Sequence, residues 1–332
     1  MHVGDSYTLR EFLTWMRRDI LFLSVLATVP TVLYQLLDWK WMMLPWPPIA
    51  TVGTAAAFLL AFRNNSTYDR LWEARIIWGA ITNLSRTWGI QVKDMIVSQD
   101  PATGDFKRAL IHRHIAWVTA LRFQLRQKRH WERMEEPNNR EYLKRYHVPE
   151  WETELESEIR PHLADAHWAQ VKGTRNPAAQ IIALQSADLS FAFDRGWFDS
   201  FRFSQLMDTL GKLYDEQGKC ERIKDTPYPR QFASLNSMFI RLFVLMLPFG
   251  LLQEFASEGE AAVWLTAPTS LIVGWIFLTI EKIGEHSENP FQGGADDVPM
   301  ASLSRNIEID LKEMIKDTGI PAPLTPKNFI IL

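Results

Sequence analysis

Cys220 is the single cysteine among 332 residues, so the chain has no intrachain disulfide framework and no thiolate cluster for a zinc ribbon. Glycine is never spaced as a phosphate cradle, since neither a Walker pattern nor G-x-G-x-x-G occurs, and the G-x-S-x-G nucleophile elbow is absent too. Neither sign of charge dominates: 36 Lys and Arg stand against 39 Asp and Glu, for a net charge of -3. With a pI near 6.3 and no basic stripe interleaved with aromatics, nucleic acid is excluded as a partner. Strand-like alternation, internal repeats and low-complexity linkers are missing as well, which leaves an all-α chain.

What the chain does have is long uncharged runs, hidden by a mean hydropathy of -0.14. The clearest is Trp41 to Phe62, which carries no charge before breaking into Arg63-Asn64-Asn65-Ser66-Thr67-Tyr68-Asp69-Arg70. A run of that length is bilayer material. Four spans are expected, at 20–37, 41–62, 232–255 and 261–280, paired into two hairpins. The third contains Arg241 and Glu254, and an arginine at depth requires protein, water or the interface as its neighbour. Arg17 and Arg18 before the first span resemble a signal-peptide start, but no cleavage pattern follows, so this span is expected to be retained. The chain thus divides into 1–62 with the first hairpin, a helical region 63–231, the second hairpin 232–280, and a terminal segment 281–332.

Arg10, Arg17 and Arg18 precede the first span, and Lys and Arg are frequent after Phe62, whereas Gln253 to Glu260 holds glutamates and no base. Positive-inside reasoning therefore predicts both termini and the 63–231 region in the cytoplasm of a cell, here at an inner membrane. A lone cysteine suits that reducing side. Trp41, Trp46 and Trp264 lie at span ends as an aromatic belt. The pattern from Asn64 to Val97 prolongs the second span beyond the membrane until Asp100-Pro101. Further helices are predicted from Phe106 to about His130, Glu150 to Val171, Asn176 to Ser190 and Ser200 to about Leu213, and Thr226-Pro227-Tyr228-Pro229 returns the chain to the bilayer.

Chemistry-bearing clusters are few. His112-x-His114 sets two imidazoles on different sides of a helix, so they are not expected to share a metal. Asn65, Asp69 and Glu73 recur at helical spacing, as on the magnesium-binding face of an intramembrane prenyltransferase-like enzyme. Arg70 and Arg75 lie within pairing distance in sequence and no second acidic motif follows, so an ion-pair network is the expected reading of that face.

The same segment supports a broader resemblance. Phe62-Arg63-Asn64-Asn65-Ser66-Thr67-Tyr68-Asp69-Arg70, then Trp72-Glu73-Ala74-Arg75, is similar to the signature of prokaryotic bestrophin-like proteins, and Gly284-Glu285-His286-Ser287-Glu288-Asn289-Pro290-Phe291 resembles their second motif. This resemblance implies a homopentameric ion channel in the lipid bilayer, not an enzyme, with five second spans around an axial neck and helices enclosing a wider vestibule. It implies small monovalent ions as cargo, chloride favoured. Some bacterial members pass cations, so a monovalent cation channel of the same fold is the alternative.

On the family pattern the neck rings fall at Pro47, Thr51 and Ala55, where bulky apolar residues are usual; here they are small. Either the neck is wider and wetter, or a rotated helix makes Phe58 or Phe62 the constriction. The lower aperture maps to Phe201 after Asp199-Ser200, expected to be narrower than the Thr51 level. Animal bestrophins follow Asn-Pro-Phe-Gly with an acidic calcium clasp, but this chain reads Gln292-Gly293-Gly294-Ala295-Asp296-Asp297. Asp296 and Asp297 fall well short of the roughly 6–8 oxygens calcium requires, so no cofactor is expected and the pair is read instead as starting a helix that runs through Asn306 to Lys316. The second span is rich in Ala50, Gly53, Ala55, Ala56 and Ala57, which lets helices approach closely.

Overall fold

Proline at the N-cap or in the first two helical positions opens six of the twelve α-helices in a computed structural model, which describes every residue from Met1 to Leu332. The first helix, α1 (Leu9–Leu37), starts on a capping box in which the Thr8 hydroxyl accepts from the Glu11 amide at 3.3 Å and the Glu11 carboxylate accepts from the Thr8 amide at 3.0 Å. After a short turn, α2 (Trp46–Met95) places Pro47 in its first turn, where no intrahelical donor is needed. It then runs unbroken for 50 residues. At the usual rise that is about 75 Å, more than twice the hydrocarbon thickness of a bilayer.

Next come α3 (Thr103–Arg126), the short α4 (Pro137–Leu143), α5 (Pro149–Glu152), α6 (Leu155–Ile159) and α7 (Asp165–Val171), then α8 (Pro177–Asp194) and α9 (Ser200–Asp225). The chain closes with α10 (Arg230–Ser257), α11 (Thr266–Ser287) and α12 (Met300–Met314). Two expectations need correction. The predicted helix from Glu150 to Val171 is three short pieces: the backbone turns extended at Thr153 and Glu154, and a second break follows at Pro161, which has no amide proton to continue the ladder. Conversely, α9 continues past Leu213 to Asp225, since Gly218 alone is too weak a breaker and the next proline is Pro227.

Four helices are long and apolar enough to cross a membrane: α1, the first half of α2, α10, and α11 with its preceding turn. They make a small core of 8 buried apolar residues, whereas the far half of α2 joins α3, α8, α9 and α12 in a core of 37. Hydrophobic burial within one chain therefore stabilises the extramembrane half far more than the spans. Close helix approach explains Gly53: a Cβ there would overlap the ring of Phe243 on α10.

Beneath the larger core lies an ionic network that periodicity could not reveal. The Glu150 carboxylate, 0% exposed, accepts from Arg122 at 2.8 Å and Arg126 at 3.4 Å, and Arg126 also reaches Asp297 at 3.3 Å. Removing one partner of such a set leaves guanidinium charge in an apolar interior. We expect Glu150→Ala to cost about 3–5 kcal/mol of stability, and Glu154→Ala on the surface less than about 0.5. Thermal or denaturant unfolding in detergent checks both.

Candidate conduction path

A helix that leaves one face bare in an isolated chain advertises a partner or a solvent channel. On α2 the packed face is Ile49, Gly53, Ala56, Leu60, Arg63 and Thr67, against α10 and α11. The opposite face runs through Pro47, Thr51, Ala55, Phe58, Phe62, Asn65 and Asp69, all exposed. Every expected neck residue thus lies on one continuous stripe.

Along this stripe Thr51 donates its hydroxyl to the Pro47 carbonyl at 2.9 Å, and Thr54 donates to Ala50 at 2.8 Å. Their protons are turned back to the helix, so this level presents methyl groups and hydroxyl lone pairs. One to two turns on, Phe58 and Phe62 are 65% and 57% exposed and meet edge to face at 4.6 Å. Their positive ring edges are the bulkiest features of the stripe.

The two sequence motifs come together just beyond the apolar part of α2. Arg63, 2% exposed, reaches Glu285 on α11 at 3.7 Å and Glu288, the residue that caps its C-terminus, at 3.3 Å. Arg230 at the start of α10 holds the other Glu288 oxygen at 2.8 Å, and Arg133 pairs with Glu285 at 2.6 Å. Asn64 donates to the Ile280 carbonyl at 3.0 Å, and a Cβ on Gly284 would overlap the Asn64 side chain. Asn289, Pro290 and Phe291 are buried beside this junction. Most signature residues therefore anchor α2 to its neighbours rather than lie on its exposed stripe. Tyr68 is exposed and stacks on Trp72.

The expected pairing of Arg70 and Arg75 with Asp69 and Glu73 is not what forms. Arg70 instead donates to the Ile223 and Thr226 carbonyls at the end of α9, and Arg75 reaches the Asp296 carbonyl at 3.3 Å. Glu73 pairs with Arg222 at 2.5 Å, so it leaves the face it would share with Asn65 and Asp69 in a metal site. Arg133, Arg222 and Arg230 partner the signature but carried no periodic or motif signal.

Asp296 and Asp297 do not start the last helix; α12 begins at Met300 behind Pro299. Asp297 instead accepts from the Gly293 amide at 2.7 Å and pairs with Arg126 at 3.3 Å. Burial pushes its carboxyl up to about 6, against the pull of Arg126. Asp296 accepts from the Tyr7 hydroxyl at 2.9 and 3.0 Å. A calcium clasp does not fit here: a guanidinium already occupies the Asp297 carboxylate, and Gly293, Gly294 and Ala295 supply no side-chain oxygen.

At the other end of the molecule, Asp199 caps α9 by accepting from the Arg202 amide at 2.9 Å. That cap presents Phe201 outward at 82% exposure, the most exposed large apolar side chain in the molecule.

Known proteins share this plan. The voltage-dependent anion channel-forming protein YneE of Escherichia coli (strain K12) is 27% identical over 295 residues, 86% of this chain and 84% of that protein. A voltage-dependent anion channel-forming protein of Mesorhizobium japonicum, mll4386, is 27% identical over 282 residues, 85% of this chain and 79% of its own. In fold, the crystal structure of a bacterial bestrophin homolog from Klebsiella pneumoniae matches with a TM-score of 0.76 at 22% identity, covering 92% of this chain and 100% of that one. The model of the Bacterial/Fungal Bestrophin protein family matches residues 11–313, and the chain belongs to that family of membrane channel proteins.

Proposed function

We propose that the chain forms a homopentameric channel for small monovalent anions, chloride foremost. The observation that carries this reading is the bare stripe of α2 from Pro47 to Asp69, which one chain leaves without any partner while the opposite face is fully packed. Five copies placing that stripe on a common axis would satisfy it with water and ions. The names of the Escherichia coli and Mesorhizobium relatives support anion passage. Basic residues at Arg10, Arg17 and Arg18 against the acidic connector at 253–260 support an inner-membrane protein with both termini and residues 63–231 in the cytoplasm.

In this reading an ion passes Pro47, Thr51 and Ala55, then the Phe58 and Phe62 edges, crosses a cytoplasmic vestibule and leaves past a ring of Phe201. Small residues at the first levels leave the phenylalanines as the narrower part of the neck. Apolar rings impede ions by dewetting, and aromatic edges favour anions over cations there. One observation favours the second reading, a cation channel of the same fold: Asp69 is an exposed carboxylate on the same stripe and would form a ring of five at the vestibule mouth.

Purified protein in planar bilayers under asymmetric NaCl distinguishes the two. The current should reverse toward the chloride equilibrium potential and be unchanged by calcium chelation; reversal toward the sodium potential gives the pore to cations, and loss of current on chelation overturns the calcium-free reading. Aperture assignments are tested by size. Ala55→Phe should reduce conductance severalfold and Phe201→Ala should raise it, whereas no change from either would remove these residues from the path.

A further inference from the structure

Between the start of α1, the middle of α2, the end of α11, α4 and the 293–297 loop lies a cavity of about 370 Å³, a size usual for small-molecule sites. Six aromatic side chains wall it: Tyr7, Phe12, Trp15, Tyr68, Tyr142 and Tyr146. Leu71 of α2 completes the apolar lining beside them. One chain supplies the whole wall, so an inference about this cavity stands apart from conduction.

Two opposite charges border this space without pairing with each other. Arg75 reaches only the main-chain carbonyl of Asp296, at 3.3 Å, and its Nε is buried with no partner. The Asp296 carboxylate has only the Tyr7 hydroxyl, at 2.9 and 3.0 Å. Glu11, the other carboxylate of the wall, is committed to the Thr8 amide at 3.0 Å and to Arg145 at 3.5 Å. Elsewhere in this region buried charge is answered within the chain, as Arg63 is by Glu285 and Glu288. A bound anion would answer Arg75 and leave Asp296 as it is, and a bound cation would do the reverse. A molecule carrying both charges satisfies both groups: a carboxylate matches the guanidinium fork, and an ammonium suits Asp296 among aromatic faces that attract cations. The rest of the wall is apolar and fits a hydrocarbon body.

We propose that this cavity binds a small zwitterion with an apolar body, of the kind an apolar L-amino acid presents, with Arg75 on its carboxylate and Asp296 on its ammonium. Tyr7 is a positioning residue here, since its hydroxyl holds the Asp296 carboxylate in place. An occupant would tie α1 and the 293–297 loop to α2 just past the Arg63 junction, and would therefore raise the stability of the chain by mass action.

Full-length protein in lipid nanodiscs, which keep detergent out of an apolar cavity, can be titrated calorimetrically with L-phenylalanine, L-leucine, hydrocinnamate and phenethylamine. L-Phenylalanine should bind once per chain, and hydrocinnamate and phenethylamine, each lacking one of its charges, should bind at least about tenfold more weakly. Arg75→Gln should abolish the preference over phenethylamine and Asp296→Asn the preference over hydrocinnamate, a crossed pattern that a merely structural effect does not produce; Arg17→Gln should change neither. L-Phenylalanine should also raise the melting temperature of the wild type but not of Arg75→Gln. Binding of neither amino acid by the wild type, or equal affinity for L-phenylalanine and both analogues, would overturn the assignment, and a preference for hydrocinnamate would overturn it in favour of a simple anion site. The wild-type titrations decide even where a variant fails to fold.

Discussion

Where α2 leaves the bilayer, a buried arginine has to be neutralised. Arg63 cannot reach water, and its charge is matched by Glu285 and Glu288 at the end of α11, which are shared with Arg133 and Arg230. Desolvating these groups is expensive, and only their mutual pairing offsets it, so each member holds the others in one geometry. The consequence is rotational. With Arg63 turned toward α11, the residues half a turn away, Phe58, Phe62, Asn65 and Asp69, must face outward. Gly53 against Phe243 and Gly284 against Asn64 fix the same rotation by shape, on either side of the charge cluster. The proposed pore lining is therefore a by-product of how the opposite face is locked.

That lock also separates two jobs along one helix. The apolar half of α2 packs one face into the small core with α10, while its far half is built into the large core with α9 and α12. An assembly of such chains would take its rigidity from the extramembrane half and hold a neck of small residues and phenylalanine edges. Because the Thr51 and Thr54 hydroxyls are spent on the helix backbone, ion preference at the neck would rest on ring edges and on width. The Asp297–Arg126 pair fills, with an internal cation, the loop in which animal relatives are expected to clasp calcium.

Much of this was legible in the sequence, for physical reasons. Uncharged runs mark bilayer spans because charge is so costly there, and Asn64 to Val97 read as a continuation of the second span because it lacks a breaker. The segment after Glu150 was only partly legible, since Pro161 marks its second break but its apolar spacing suits a helix and nothing local marks the extended backbone at Thr153 and Glu154. Site residues divide in the same way. Thr51, Ala55 and Phe58 follow from counting along a helix, but the partners of Arg63, Arg70 and Glu73 come from distant segments, and no local pattern records which carbonyl or carboxylate an arginine meets.

If the outward stripe of α2 faces the ions, its side chains also meet water. The protein is suited to a direct measurement, because its one cysteine, Cys220, is buried and burial pushes its thiol well above the ordinary value, which leaves it inert to thiol reagents. Single cysteines introduced as Thr51→Cys, Ala55→Cys and Phe58→Cys, with Ile49→Cys on the packed face as the reference, can be challenged by a water-borne charged methanethiosulfonate while current is recorded. Rapid modification and changed current at the first three, with Ile49→Cys unaffected, is the predicted result. Equal silence at all four, or reaction at Ile49→Cys alone, would contradict it.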